Sequence, residues 1–297
     1  TFADLQFRNI PYQINGFQNN PDILINKNYL FFNPKFGITY SQRNTRLYFS
    51  YANANKEPNR DDFETSSNDA PQPEKLHDFE WGYEGRYNKN KWGINCYYML
   101  YKNQLVLTGK VNQVFAYTRT NIPHSYRMGI EITAESNLHK KLSIAGSLTL
   151  SNNKIKNFME YVDDYDNLTQ QIILHPKSDI SFSPSIIGNM TVNYLPFKNI
   201  EVQWLSKYIG KQYLDNTSNE NRKIKDYLVQ DFKINWITSF GKGSTLGLFF
   251  QLNNIFSKKY VANGYTFSYI YGGDFTTENY YYPMALMNWM TGISIKL

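Results

Sequence analysis

Apolar and polar residues alternate over unusually long stretches, and this alternation limits the possible folds more than any other feature of the sequence. The segment at 126–135 illustrates it, because every second residue is apolar: Tyr126, Met128, Ile130, Ile132 and Ala134. The residues between them are polar or glycine. A period of two indicates β-strands with two unlike faces. The alternating segments run roughly nine to twelve residues, longer than ordinary strands and long enough for a tilted strand to cross a bilayer. The pattern predicts an all-β, antiparallel transmembrane barrel with its apolar face towards lipid.

The connections between these segments alternate between short and long. Short polar breaks lie near residues 42–44, 88–90, 138–140, 196–198 and 240–243. Longer polar stretches lie between them, near residues 53–74, 105–123, 153–178, 210–225 and 257–280. Outer-membrane barrels have short periplasmic turns and long extracellular loops. We therefore predict roughly twelve wall strands, with residues 15–33 as a loop.

Composition excludes several other classes of protein. Aromatic residues make up 17% of the chain, which excludes intrinsic disorder. Cys96 is the only cysteine, so there can be no intrachain disulfide and no cysteine-based zinc site. The net charge of +6 is modest and dispersed, which argues against nucleic acid as a partner. No apolar run approaches the length of a transmembrane helix. We predict no cofactor and no metal site.

Few residues have a pattern that points to catalysis. The acidic segment 160–166 could offer oxygen ligands to Ca²⁺, but it lacks the spacing and glycine of an EF-hand loop, so a solvated loop is preferred. Glu131 and Glu135 share a strand face and could form a glycosidase pair, but a hydrated barrel wall is preferred. His124 and His175 have no partner at metal-ligand spacing. These patterns therefore single out no catalytic residue.

Several segments resemble a known family. Residues 47–63 (LYFSYANANKEPNRDDF) have an aromatic strand that leads into a Pro-Asn-Arg-Asp loop start, as in the barrel of TonB-dependent receptors. Residues 125–131 (SYRMGIE) and 252–260 (LNNIFSKKY) are similar to two further motifs of that barrel. Residues 208–217 (YIGKQYLDNT) resemble its Bacteroidetes branch. Together these segments identify the chain as a member of that family.

The resemblance implies a particular architecture and set of partners. Members have a 22-stranded barrel plugged by an N-terminal domain. Residues 1–297 would then be a single domain, the C-terminal part of the barrel wall, with the plug absent. A self-contained twelve-stranded barrel is the geometric alternative. The implied partners are the TonB-ExbB-ExbD complex, reached through the missing plug, the barrel assembly machinery and outer-membrane lipid.

The resemblance also implies a function, that of a transporter and not an enzyme. The expected activity is active uptake across the outer membrane of a scarce small molecule such as a metal chelate. The ligand classes expected are iron-siderophore, haem and corrinoid. Loops on a rigid scaffold carry function, so the candidate ligand-binding residues are loop residues: Arg60, Asp61, Asp62, Tyr161, Tyr213, Tyr265, Tyr269 and Tyr271. The final strand would carry the barrel assembly signal on Trp289, Ile293, Ile295 and Leu297, although most members end in Phe.

Three alternatives stay open. A passive porin-type channel would have the same wall. An outer-membrane hydrolase would need His124 or His175 as its base. A soluble β-sandwich or carbohydrate-binding protein would bury its aromatic residues in a core.

Overall fold

The fold was analysed in a computed structural model, which describes residues 1–18, 20–64, 70–111, 117–240 and 243–296. Seventeen strands lie in these residues: β1 (Phe2–Asn15), β2 (Leu24–Gln42), β3 (Thr45–Lys56), β4 (Glu74–Tyr87), β5 (Asn90–Val111), β6 (Tyr117–His139), β7 (Leu142–Asp164), β8 (Thr169–Asp179), β9 (Ile186–Phe197), β10 (Ile200–Ile209), β11 (Gln212–Tyr213), β12 (Lys223–Ile224), β13 (Tyr227–Phe240), β14 (Ser244–Asn253), β15 (Val261–Tyr271), β16 (Asp274–Pro283) and β17 (Asn288–Lys296). One 3₁₀ turn spans Arg60–Phe63. The described residues contain no helix that is long and apolar enough to cross a membrane.

Twelve of the strands form one continuous antiparallel wall. Their order is β1-β2-β3-β4-β5-β6-β7-β9-β10-β13-β14-β17, so neighbours in space are also successive wall strands in the chain. The prediction of roughly twelve wall strands and an all-β fold is confirmed. Within the described residues β1 pairs only with β2, and β17 pairs only with β14, so the wall has two open edges.

The outward face of the wall is apolar across many strands. One row of direct cross-strand partners runs from β2 to β9: Ile38, Phe49, Trp81, Cys96, Ile130, Leu150 and Ile186. Trp81 is 46% exposed and Ile130 is 42% exposed. A soluble protein rarely exposes such a large contiguous apolar surface. The row is what a lipid-facing barrel wall requires.

The inward face of the same strands is polar. A neighbouring row of partners contains Tyr48, Gly82, Asn95 and Glu131, and the Tyr48 hydroxyl donates to the Asn95 side-chain oxygen at 3.1 Å. Gly82 allows this contact, because a Cβ atom there would lie 1.9 Å from the Tyr48 ring. A wall whose outward face contacts lipid requires a polar inward face of this kind.

The predicted loops are largely wrong, because much of their length is strand. Residues 24–33 belong to β2, and residues 105–111 and 117–123 extend β5 and β6. Residues 153–178 lie mostly in the β7–β8 hairpin. Beyond the membrane both faces of a strand can be polar, so the apolar alternation ends while backbone pairing continues. Asn103 and Asn157 interrupt the alternation with positive φ angles of 57° and 52°.

Two buried apolar clusters lie in these extensions rather than in the wall. The first joins the β1–β2 hairpin to the β3–β4 connection: Ile14, Phe17, Ile25, Tyr29, Phe31 and Phe63. The second lies on the inward side of β5–β8: Val106, Ile122, Ile155, Phe158 and Ile180. The long-loop end therefore has the packed interior of a soluble protein, and this interior holds the connections in place.

Candidate functional site

The β10–β13 connection, residues 210–226, folds over the inward face of the β7–β8 hairpin. The Ser181 amide donates to the Asn216 side-chain oxygen at 2.8 Å. The Asp179 amide donates to the Ser218 hydroxyl at 2.6 Å. These bonds attach the connection to the end of β8 and to the segment that follows it, and so build a second layer inside the wall.

A buried ion cluster locks this second layer. The Arg222 side chain is 3% exposed and contacts the carboxylates of Glu160 on β7 and Asp215, the latter at 2.8 Å. The other Glu160 oxygen lies 2.9 Å from Nε2 of His175 on β8. A buried guanidinium is stable only when its charge is matched in this way. The cluster therefore fixes the position of residues 212–224 against β7.

The β15–β16 hairpin packs on this layer with one of its two faces. The Tyr281 hydroxyl donates to the Lys223 carbonyl at 3.1 Å, and the Asn279 side chain donates to the Asn221 carbonyl at 2.8 Å. At the tip, the Asp166 carboxylate accepts the amides of Gly272 and Gly273, each at 2.8 Å. The hairpin is therefore fixed at its base and at its tip.

The other face of the hairpin carries a row of aromatic rings, exposed except for the half-buried Tyr269 and here named the aromatic face: Tyr265, Phe267, Tyr269, Tyr271, Tyr280 and Tyr282. Tyr265 and Tyr280 are cross-strand partners with ring centroids 4.9 Å apart and an interplanar angle of 6°. Phe267 continues the stack, 5.9 Å from Tyr280. Tyr265 and Tyr280 are 46% and 43% exposed. Rings on a paired hairpin form a preorganised surface for a planar group.

A carboxylate lies among these rings and bonds to two of them. Glu278 is the cross-strand partner of Phe267 and accepts the hydroxyls of Tyr269, at 2.9 Å, and of Tyr280. These hydrogen bonds, from Tyr280 first and then Tyr269, hold the pKa of Glu278 below its usual value. The aromatic face therefore carries a fixed negative charge at neutral pH.

Three predicted ligand residues, Tyr265, Tyr269 and Tyr271, come together on the aromatic face. Tyr161 lies nearby on β7, on the face opposite Glu160, with the Lys110 ammonium 5.8 Å from its ring. Tyr213 donates its hydroxyl to Glu220 in the second layer. Three of the predicted ligand residues therefore share the aromatic face. The other two, Tyr161 and Tyr213, lie on neighbouring elements.

Arg60, Asp61 and Asp62 form a separate group in the β3–β4 connection. Asp62 is 3% exposed, and its carboxylate accepts the Asn59 amide at 2.7 Å and pairs with Arg119 at 2.9 Å. The Arg60 guanidinium packs over the Phe17 ring at 5.1 Å, and Asp61 is exposed. Asp62 and Arg60 are engaged in packing, and no contact among the described residues joins the group to the aromatic face.

The residues proposed for barrel assembly lie on the outward face of β17. Trp289, Ile293 and Ile295 are 67%, 72% and 62% exposed. Their partners on β14 are Leu252, Leu248 and Leu246. Leu297 lies outside the described residues. The assembly role stays a prediction.

Three residues at the aromatic face were not among the predicted ligand residues: Phe267, Tyr280 and Glu278. A signal for them was present, because aromatic residues alternate at 265, 267, 269 and 271 and recur at 280–282. Residues 257–280 were predicted as a loop, so this alternation was not assigned to strands. No group of three or more His, Cys, Asp or Glu side chains in the described part of the chain could hold a metal ion.

Known proteins resemble this chain both in sequence and in fold. The family described as TonB dependent receptor-like, beta-barrel, matches residues 8–255. The chain belongs to this family. The ferrioxamine receptor of Yersinia enterocolitica is 30% identical to this chain over 147 residues. That match covers 49% of this chain and 19% of the receptor.

The fold of this chain is similar to that of solved receptors and transporters. The ferric citrate transporter FecA in its unliganded form superposes with a TM-score of 0.73 and 17% identity, covering 99% of this chain and 42% of FecA. The siderophore receptor PiuA from Acinetobacter baumannii superposes with a TM-score of 0.70 and 15% identity, covering 96% of this chain and 38% of PiuA. At such identities the likeness shows the fold alone. The chain spans less than half the length of these proteins. The Bacteroidetes branch stays a prediction.

Proposed function

We propose that this chain is one barrel-wall domain, residues 1–297, of an outer-membrane receptor that takes up a scarce metal chelate. The ligand would be of the iron-siderophore, haem or corrinoid class. Membership of the TonB-dependent receptor family supports this proposal. The apolar outward face supports the location in the outer membrane, and the long connections would then lie outside the cell.

The aromatic face is the observation that carries the choice of binding site. Tyr265, Phe267 and Tyr280 present near-parallel rings, and an aromatic pair contributes about 0.5–1.5 kcal/mol beyond its buried area. Glu278 adds a negative charge, which favours a neutral or cationic ligand with a planar group over an anionic one. Tyr161 and Tyr213 would contact the ligand only at its periphery, and Arg60, Asp61 and Asp62 lie in a separate group.

The inward wall supports the proposal of a plug and, through it, of TonB-ExbB-ExbD as partners. Asp78, Glu80 and Glu131 lie on this face, and Glu80 experiences the like charges of the other two. None of the three has an ion pair among the described residues. Basic side chains of a domain inside the barrel would relieve this repulsion.

The hydrolase alternative has little support from the placement of its candidate bases. His124 is exposed on the outward face between Lys102 and Lys156. His175 packs between the Phe158 ring and Glu160. Neither imidazole has a hydrogen bond with a serine hydroxyl among the described residues.

The binding site is tested in the full-length receptor with a panel of probes: ferric citrate, ferrioxamine, a ferric catecholate, haem and cyanocobalamin. Dissociation constants are measured by quenching of intrinsic fluorescence. The double variant Tyr265→Ala/Tyr280→Ala should weaken binding of one probe by about 10- to 100-fold, since it removes two stacking rings. Tyr194→Ala removes a tyrosine of similar exposure, 47%, near the short β9–β10 turn; it is the matched control and should leave binding unchanged.

Two results would count against this proposal. If no probe binds the unaltered receptor, the ligand belongs to another class. If a probe binds and the double variant binds it equally well, the aromatic face is not its site. Uptake of the bound probe that persists without TonB would favour the passive channel.

A further inference from the structure

A row of basic side chains crosses the outward face of the barrel next to the apolar band. Its members are direct cross-strand partners on five adjacent strands, β4 to β8: Lys75, Lys102, His124, Lys156 and Lys177. We name them the basic row. Four strand spacings of about 4.8 Å make the row about 19 Å wide.

The alternation of the strands places the basic row on the lipid side. On β5, Tyr98, Leu100 and Lys102 follow one another on the same face. The residues that point the other way beside the row are buried, with Ser125 at 3% exposure, Ile155 at 0% and Ser178 at 1%. Lys102, His124, Lys156 and Lys177 are exposed. The row therefore begins where the outward apolar band ends.

The charges of the basic row are not matched within the part of the chain that the structure describes. None of its lysines has an ion pair among the described residues. Lys154, which flanks the row, is paired with Asp179 at 2.6 Å. Lys156 and Lys177 are direct partners, and like charges directly opposite one another destabilise a sheet. An external anion would remove this cost.

A groove beside the basic row combines apolar and basic walls. Its volume is about 300 Å³. Tyr98, Leu100 and Tyr126 form the lower part, towards the apolar band, and Lys102, His124 and Lys156 form the upper part. A molecule that fits such a groove has an apolar chain below and negative charge above.

We propose that the basic row binds the phosphate groups of an anionic membrane lipid in the leaflet at the long-loop end. The acyl chains would lie on the apolar band, and the lysine ammonium groups would extend to the headgroup layer. Because barrel strands are tilted, the row is inclined and crosses that layer instead of running along it. An acidic protein would match the charge, but it could not cover an apolar band that lies in hydrocarbon. The proposal rests on the membrane orientation given above.

The experiment uses the full-length receptor in a neutral detergent, with bound lipid measured by native mass spectrometry during titration. The probe is lipid A, a diphosphorylated acylated disaccharide. The triple variant Lys102→Gln/Lys156→Gln/Lys177→Gln should bind it on the order of 100-fold more weakly, since each lysine near an anionic surface contributes about fivefold. The corresponding Lys→Arg triple variant should retain binding.

Lys89→Gln/Lys140→Gln/Lys198→Gln is the matched control, because it removes three exposed lysines at the short-turn end. If the control loses as much lipid A binding as the row variant, the proposal is overturned, because binding would then not depend on the position of the lysines. Equal binding of dephosphorylated lipid A would also overturn it, and so would inorganic pyrophosphate binding as tightly as the lipid. Transport of the receptor's ligand should be unchanged in the row variant, so failure here is distinct from failure of the uptake proposal.

Discussion

Asn254 is the residue that connects the wall to the β15–β16 hairpin. It is 3% exposed and has a positive φ of 49°. Its side chain donates to the carbonyls of Lys258, at 2.9 Å, and Ala285, at 3.0 Å, and accepts the Lys258 amide at 2.9 Å. One amide group thus closes the turn after β14 and holds the chain that enters β17. This explains physically why the Asn-Asn-Ile-Phe segment occurs at this point.

We expect Asn254→Ala to destabilise this junction by about 2–4 kcal/mol, because it leaves buried backbone groups without partners and disfavours the positive φ. Amide hydrogen exchange of residues 254–260 and 284–288 measures the change. Asn253→Ala is the matched control, since Asn253 bonds the side chains of Asn288 and Gln251 in a more exposed position. Equal exchange in the two variants would contradict this role of Asn254.

Glu220 is a second residue whose neighbours set its behaviour. Its carboxylate accepts bonds from Lys211 and Lys223, both at 2.5 Å, and from the Tyr213 hydroxyl at 2.6 Å. These bonds, with Lys211 the largest cause, lower the pKa of Glu220 to about 2. A lowered carboxyl pKa stabilises the fold above the usual value of 4.5, and this stabilisation is lost as the pH falls towards 2.

We therefore expect Glu220 to stay ionised at pH 4 and to titrate only near pH 2. A carbon-13 NMR titration of the labelled carboxyl measures this. Lys211→Met should move the midpoint up towards 4.5, because it removes the strongest donor. The side chain of Glu220 is 56% exposed, so water screens the interaction and the effect on global stability should be small. A midpoint near 4.5 in the unaltered protein would contradict the geometry.

At the scale of elements, strands continue as hairpins beyond the membrane and then pack on one another in layers. The β7–β8 hairpin supports the β10–β13 connection, which supports the β15–β16 hairpin. Arg222 ties the first two layers together through Glu160, a residue 62 positions away. Such contacts place the aromatic face, which no single element could position.

We expect Arg222→Met to loosen the second layer strongly, because it leaves Glu160 and Asp215 as buried, unmatched charges. Removing one partner of a buried ion pair costs about 3–5 kcal/mol. Amide hydrogen exchange in residues 212–224 measures the loss. Lys223→Met is the neighbouring control and should cost less than about 1 kcal/mol, since its pair with Glu220 is exposed.

The double variant Glu160→Gln/Arg222→Met should recover part of the protection, because it removes a buried charge together with its partner. Protection in the double variant as low as in Arg222→Met would mean that the arginine acts through packing and not through charge.

At the scale of the whole molecule, the chain combines two kinds of interior. The wall exposes its apolar face and keeps polar residues inside, whereas the hairpin layers bury clusters of apolar residues such as Ile155 and Phe158. The wall also has two strand edges, β1 and β17, whose outer backbone groups have no partner among the described residues. In lipid, each unpaired group costs several kcal/mol.

We expect the isolated chain of residues 1–297 in detergent to show fast amide exchange at these two edges. The outward-pointing amides of β1 and β17 should exchange near the rates of unstructured peptides, while those of β5 and β6 stay protected. In the full-length receptor both edges should become protected, because a closed barrel leaves no strand edge unpaired. Slow exchange at both edges of the isolated chain would show that the sheet closes on itself, as in a twelve-stranded barrel.

The number and type of wall strands could be predicted because each strand carries its own signal. Tyr126 to Ala134 alternate regardless of what packs beside them, since the lipid requires it. The extension of β2 over residues 24–33 could not be predicted in this way, because Asn26, Lys27 and Asn28 have no apolar alternation. The candidate site was predicted in part, with Tyr265, Tyr269 and Tyr271 on one face.

The sequence by itself determined the all-β wall, its lipid-facing side and its family, because period-two alternation is a local property that any segment displays alone. Only the tertiary structure decided which loop residues meet. Asp62, chosen as a ligand residue, is buried in an ion pair with Arg119. Glu278, which was not chosen, lies half-buried among aromatic rings and accepts hydrogen bonds from two of their hydroxyls. Contacts such as that of Asp166 with Gly272 join residues 106 positions apart. Their partners are set by packing between layers, which leaves no periodic trace in the chain.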